Sequence, residues 1–290
     1  MIGFFDSGFG GLTILKEVLG VDVKSGLAKK IDVKSGTKKI TSVSLSAYDF
    51  IYLGDTARAP YGNHSPETIY RFTTEAVDFL FRQGCELVVL ACFSASANAL
   101  RKIQQEWLPT HYPNKKVLGV LIPTAESAAL LSKKGKVGIL GTRATVKSGA
   151  LETELKKRRA DLQIISQAAP LLVPLIEEGW DKRLETKKIL RYYLKPLKKS
   201  AIDTLILACT HYPVLQKEIK IMMGKKVTII NPGEAEKKSL ADYLLRHPEI
   251  EEKLSQKGQC RFLTTDRPED FERLGSKFLG WSFKAEKVSL

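Results

Sequence analysis

Two stretches of the sequence end in the same way. Glu86-Leu-Val-Val-Leu-Ala-Cys92-Phe-Ser94 and Asp203-Thr-Leu-Ile-Leu-Ala-Cys209-Thr-His211 each run from an acidic residue through an apolar strand to Ala-Cys. Hydroxyl-bearing residues and a helical stretch follow in both. A thiol at the end of a strand and the start of a helix lies near the positive end of the helix dipole. That placement predicts a lowered pKa and a larger thiolate fraction. One such cysteine could be a nucleophile, a redox sensor or inert core. Two in mirrored positions point to a symmetric role. Inverting a carbon centre has that requirement, since a proton leaves one face and another arrives at the opposite face. The two groups then exchange the roles of acid and base with the direction of reaction. Cys92 and Cys209 are candidate catalysts on that reasoning.

The other two cysteines, Cys85 and Cys260, match no motif and read as structural. No Cys-x-x-Cys pair occurs and no Cys/His cluster has zinc-ligand spacing, so no metal site is expected.

The thiols need elements to hold them. Short apolar runs at residues 2–5, 50–53, 87–90, 117–120, 137–140, 204–207 and 227–230 suit strands buried on both faces. Helical stretches alternate with them. The clearest is 65–83, with Ser65 as cap, Pro66 in the first turn and Gly84 at the exit. This alternation predicts an α/β protein with mainly parallel sheets flanked by helices.

A weaker echo links Ile2-Gly-Phe-Phe-Asp6-Ser-Gly8 to Val137-Gly-Ile-Leu-Gly141-Thr-Arg143. With the repeated Leu-Ala-Cys, it points to two related α/β halves facing each other, and ligands of such sheets bind at the carboxyl ends of the strands. The expected division is 1–97 plus 212–290 for the first domain and 98–211 for the second. Residues 20–47 stand apart. Asp22-Val-Lys-Ser-Gly26 recurs as Asp32-Val-Lys-Ser-Gly36, which reads as a surface insertion in the first domain; a basic docking segment is the sharper alternative.

Composition bounds the rest. The 290 residues are 43% hydrophobic, enough for a large core. No apolar run approaches the ~20 residues of a membrane helix. The apolar stretch 2–5 is cut at once by Asp6, with no basic leader, so a cytoplasmic protein is expected. The net charge of +14 comes with lysine pairs scattered along the chain, such as Lys187–Lys188, Lys198–Lys199 and Lys225–Lys226. They read as a solvated surface, because no aromatic stacking motif accompanies them.

Several segments together are similar to the signature segments of glutamate racemases, within the cofactor-independent aspartate/glutamate racemase family. They are Asp6-Ser-Gly-Phe-Gly-Gly-Leu-Thr13, Gly54-Asp-Thr-Ala-Arg-Ala-Pro-Tyr-Gly62, Ala91-Cys92 and Gly141-Thr-Arg-Ala-Thr-Val-Lys-Ser-Gly149. Pro174-Leu-Ile-Glu-Glu-Gly179, Ala208-Cys-Thr-His-Tyr-Pro213 and Phe262-Leu-Thr-Thr265 complete the set. They occur in order over nearly the whole chain apart from the insertion.

The resemblance implies two similar domains with mainly parallel sheets flanked by helices, related by a pseudo-two-fold axis with the active site between them. It implies interconversion of L- and D-glutamate, supplying D-glutamate for peptidoglycan, without pyridoxal phosphate, metal or nucleotide. It implies that Cys92 and Cys209 are the acid/base thiols, that Asp6 and Ser7 sit at the substrate, and that Asp6 also assists one thiol. Tyr61 and Gly62 would line the side-chain carboxylate end, and Ser94 and Thr210 would hold carboxylates together with backbone N–H groups near helix starts. His211 would set the protonation of Cys209, and Glu177 would assist proton transfer or orient His211.

Each of these has a plainer alternative. Asp6 and Thr210 could only cap helices, Tyr61-Gly62 could be only a turn, His211 could be a structural histidine, and Glu177 with Glu178 could be a solvated face. One position departs from the family pattern. Asn-Thr is expected after the first cysteine, and Phe93-Ser94 stands there. An amide that would bind substrate is lost, which opens two other readings: a related two-cysteine racemase with altered substrate, or a catalytically weak homologue kept for binding. The expected partners are glutamate and a second copy of the chain; no membrane or nucleic-acid partner is expected.

Overall fold

The computed structural model describes residues 1–20 and 44–290, so most of the expected insertion at about 20–47 lies outside the described residues. The apolar runs become strands: β1 (Ile2–Asp6), β2 (Phe50–Gly54), β3 (Leu87–Leu90), β4 (Lys116–Gly119), β5 (Lys136–Gly141), β7 (Thr204–Ala208) and β8 (Thr228–Ile230). Three further strands, β6 (Gln163–Ala168), β9 (Cys260–Thr264) and β10 (Ala285–Lys287), are not expected from the sequence. One sheet has the order β10-β9-β2-β1-β3-β4 and the other β6-β5-β7-β8. Every pairing is parallel. The α/β class with helix-flanked parallel sheets is as the alternation predicts.

The two sheets carry the same plan. β2-β1-β3-β4 in one matches β6-β5-β7-β8 in the other, with β9 and β10 added at the β2 edge. In this correspondence β1 matches β5 and β3 matches β7, the same pairs of segments that echo each other in sequence. The inner strands bury both faces: every residue of β1, β2, β3 and β7 is buried. That is why they read as continuous apolar runs and not as alternating ones.

The expected boundaries at 97/98 and 211/212 do not match the sheets. β4 pairs with β3 in the first sheet, and β8 pairs with β7 in the second. Each half continues for one strand beyond its cysteine before the chain crosses over. The helix after that strand is then exchanged. Leu121–Leu131 follows β4 yet packs on β7, β8 and the helix Ala150–Arg158. Pro232–Arg246 follows β8 yet packs on the helix Leu12–Leu19 after β1.

The expected helix at 65–83 is Pro66–Arg82, with the Ser65 hydroxyl accepting from the Thr68 N–H at 3.2 Å. It ends before Gly84, whose φ of +89° is the left-handed exit that glycine permits.

Candidate active site

The strand ends place the thiols. Cys92 leaves β3 and caps the helix Phe93–Asn98. The N–H of Ala91 donates to the Phe5 carbonyl at 2.8 Å, which holds the thiol segment against the end of β1. There the Ser7 hydroxyl lies 3.6 Å from the Cys92 sulfur. Asp6 is fully buried; one carboxyl oxygen accepts from the Gly8 N–H at 2.9 Å and the other from the Thr210 hydroxyl at 3.2 Å. Asp6 therefore does more than shape its own turn, and Thr210 does more than cap a helix, because their bond joins the ends of β1 and β7.

Cys209 follows β7 in the corresponding position. Its sulfur lies 3.9 Å from Nδ1 of His211, and Nε2 of His211 lies 3.0 Å from a carboxyl oxygen of Glu177. Glu177 closes the helix Leu172–Glu177, and it, not Glu178, meets the imidazole. The loop after β1 presses on this group. A Cβ on Gly10 would sit 2.2 Å from the Thr210 hydroxyl and 2.6 Å from Nδ1 of His211, so no other residue fits there without displacement.

Burial sets the protonation of Cys92. Loss of water pushes its thiol up to about 12, and the nearby Asp6 adds to the rise. The Ala95 N–H and the Ser7 hydroxyl pull the other way and do not prevail. The sequence expectation of a lowered pKa is thus overturned for Cys92: the helix amide acts in the expected sense, but desolvation is larger. Asp6 is likewise raised by burial, against the pull of His211. His211 goes the other way. Burial disfavours its charged form, yet hydrogen bonds to Cys209 and Glu177 raise it to about 10.

Both thiols face one cleft, lined also by Ser7, Tyr61, Gly62, Phe93, Ser94 and Thr142. It holds about 20 Å³, room for about one water molecule. The Tyr61 side chain does not point a donor into it. Its hydroxyl donates to Asp55, which also accepts from Arg58 at 2.6 Å and from the Thr265 hydroxyl at 2.8 Å. Tyr61 is the buried anchor of the turn that carries Gly62. Gly62 in turn meets the second sheet's end: a Cβ there would lie 2.6 Å from Cβ of Thr142.

Ser94 bonds the Thr142 hydroxyl at 2.9 Å and approaches Thr145 at 3.4 Å, and Thr142 and Thr145 are 3.0 Å apart. Neither threonine is among the site residues expected from the sequence, although both lie in a signature segment. Yet the echo of Ile2–Ser7 in Val137–Thr142 makes Thr142 the counterpart of Ser7, and that signal is present in the sequence. Phe93 lines the cleft and is also 1% exposed and part of the apolar core, so its ring is shared between the two. Among the described residues, no group of three or more His, Cys, Asp and Glu side chains is disposed to hold a metal ion.

Two duplicated α/β halves each present a thiol at the tip of the same strand to a common cleft, an arrangement that suits a racemase. The chain matches the Asp/Glu/Hydantoin racemase family over residues 33–240 and belongs to it. It is 39% identical to the glutamate racemase of Aquifex aeolicus, over 96% of this chain and 94% of that one. It is 37% identical to that of Geobacter metallireducens, over 96% and 92%. Among solved structures, a glutamate racemase isoform of Bacillus anthracis superposes with a TM-score of 0.83 at 32% identity, covering 100% of this chain and 97% of that one. The Francisella tularensis glutamate racemase in complex with D-glutamate superposes with 0.81 at 29% identity, covering 99% and 97%.

Proposed function

We propose that the protein racemises glutamate by a two-thiol acid/base reaction and so supplies D-glutamate for peptidoglycan in the cytoplasm. The observation that carries this reading is that Cys92 and Cys209 end corresponding strands and face one cleft, each with its own proton partners. One thiolate takes the α-proton as the other thiol delivers a proton to the opposite face. The carbon is inverted, one sulfur gains a proton and the other loses one. The reverse reaction uses the same groups with exchanged roles.

Ser7 and Asp6 serve the Cys92 side, and His211, oriented by Glu177, serves the Cys209 side. In the closed cleft Cys92 rests as the neutral thiol; the ammonium group of an entering amino acid offsets the cost of its thiolate. Backbone N–H groups of the Tyr61–Gly62 turn and the hydroxyls of Ser94, Thr142 and Thr210 are suited to carboxylates.

The test is a chiral assay without added cofactor in heavy water, with D- and L-glutamate. Interconversion with solvent deuterium at the α-carbon is expected; interconversion without deuterium would exclude the proton-transfer route. Phe93 motivates a second reading, a related racemase with another acidic substrate. Aspartate in the same assay decides it: a higher kcat/KM for aspartate than for glutamate would favour that reading.

A further inference from the structure

The lysine pairs that are scattered in sequence do not stay scattered. Lys187–Lys188 and Lys198–Lys199 lie on one helix, Leu184–Lys199, and Lys225–Lys226 follow directly on the helix Gln216–Met223 that packs beside it. Lys187 pairs with Glu218 at 3.5 Å, and the Lys198 ammonium donates to the Met222 carbonyl at 3.0 Å, so the two helices are tied together. Among the described residues, no carboxylate lies within ion-pair distance of Lys188, Arg191, Lys195, Lys199 or Lys220. On the first helix, Leu184, Lys188, Arg191, Tyr192, Lys195 and Lys199 fall at helical spacing on one solvent-facing stripe.

Apolar groups stand among these cations. Leu184 is 70% exposed, Tyr192 72% and Ile221 67%. Beside them lies an open groove of about 810 Å³ lined by Leu194, Ile221 and Met222 together with Arg191, Lys195, Lys198 and Lys199. It is far from the cleft in its chemistry: none of its lining residues is shared with the thiol site.

We propose that this face docks the protein on an anionic phospholipid surface. Long cationic side chains reach headgroup phosphates, while exposed Tyr192, Ile221 and Leu184 enter the headgroup–acyl boundary. A nucleic acid would satisfy the cations alone. Aliphatic Leu184, Leu194 and Ile221 do not stack on bases, so the apolar groups among the cations add nothing for a nucleic acid. The charge calls for an anionic partner, and the apolar groups among the charges select the lipid. The sequence expectation of no membrane partner rested on the lack of a spanning segment, and a surface contact needs none.

The test is co-sedimentation of the full chain with vesicles of phosphatidylcholine, with and without about 30% phosphatidylglycerol, at low and high salt. Binding to the anionic vesicles at least about tenfold stronger than to phosphatidylcholine alone, and weakened by salt, is expected. Lys195→Glu with Lys199→Glu should abolish it, and Tyr192→Ser with Ile221→Ser should weaken it about tenfold or more. Lys237→Glu with Lys238→Glu, on another helix, should leave it unchanged. Racemase activity should be the same in all four proteins, which checks the fold.

Equal binding to both vesicle types would overturn the proposal. So would an equal loss in the Lys237/Lys238 variant, which would mean net charge alone. Tighter binding to a DNA duplex, indifferent to the Tyr192/Ile221 change, would assign the face to nucleic acid instead.

Discussion

Thr210 donates a hydrogen bond to Asp6, so the residue beside one thiol is tied to the acid beside the other. The thiols match in backbone position but not in company. Cys92 has a hydroxyl and a buried carboxyl near it, whereas Cys209 has an imidazole backed by a carboxylate. A near-symmetric backbone thus gives its two thiols different surroundings.

Each thiol is expected to be indispensable. Cys92→Ser and Cys209→Ser should each lower kcat for racemisation by about 10²–10⁴, the usual contribution of a general acid or base. Steady-state assays in both directions measure it. Full activity in either folded variant would rule out the two-thiol mechanism.

Tyr61→Phe should separate stability from catalysis. The variant leaves one oxygen of the fully buried Asp55 with one donor fewer, a loss of about 1–3 kcal/mol. The hydroxyl is turned away from the cleft, so kcat/KM for glutamate should stay within a few-fold. Denaturant titration and kinetics on the same samples test this. A large loss of kcat/KM without a loss of stability would place the hydroxyl at the substrate.

Gly62→Ala should act at a distance from the thiols. The new methyl would stand 2.6 Å from Cβ of Thr142, on the opposite wall of the cleft. Relief requires the walls to move apart, at a cost of about 1–3 kcal/mol. A fall in kcat/KM for glutamate is expected together with lower stability. Wild-type kinetics would show that this contact is not kept during turnover.

His211 gives stability a pH dependence. Its folded value of about 10 stands above the ordinary 6.5, so folding favours the charged imidazolium. That contribution is complete below about pH 6.5, shrinks as the pH rises, and is lost once the pH passes about 10. Glu177→Gln removes one of the groups that raise His211 and should flatten this decline. Unfolding free energies across that range measure the slope, and identical slopes in both proteins would show that Glu177 does not act on His211.

Phe93→Asn is expected to trade stability for activity. The ring is buried in the core, and deleting such a side chain costs about 3–5 kcal/mol. The amide restores a donor at the cleft, and a bond to a charged group is worth about 1.5–3 kcal/mol. A several-fold rise in kcat/KM for glutamate with a lower Tm is the expected pair. An unchanged or lower kcat/KM in a folded variant would show that Phe93 is no defect in the site.

The fully buried strands are legible in the sequence, whereas β6, β9 and β10 are not. β1, β2, β3 and β7 are covered on both faces and stand out as apolar runs, whereas β6 is a partly exposed edge strand reading Gln-Ile-Ile-Ser-Gln-Ala. β10, at the other sheet's edge, is mostly exposed and carries no apolar signal. The strand-end positions of both thiols follow from the repeated Leu-Ala-Cys. The protonation of Cys92 is out of reach of the sequence, since it depends on how fully the cleft closes over the sulfur. So is the domain division, because no local pattern marks a helix that leaves its own sheet for the other one.

That exchange of helices bears on how the protein is made. The face of Leu12–Leu19 that Pro232–Arg246 covers emerges from the ribosome long before its cover is synthesised. The first sheet must wait with apolar surface in water until nearly the whole chain is out. The contact that covers this face thus forms only at the end of synthesis, and an isolated first half would leave it exposed.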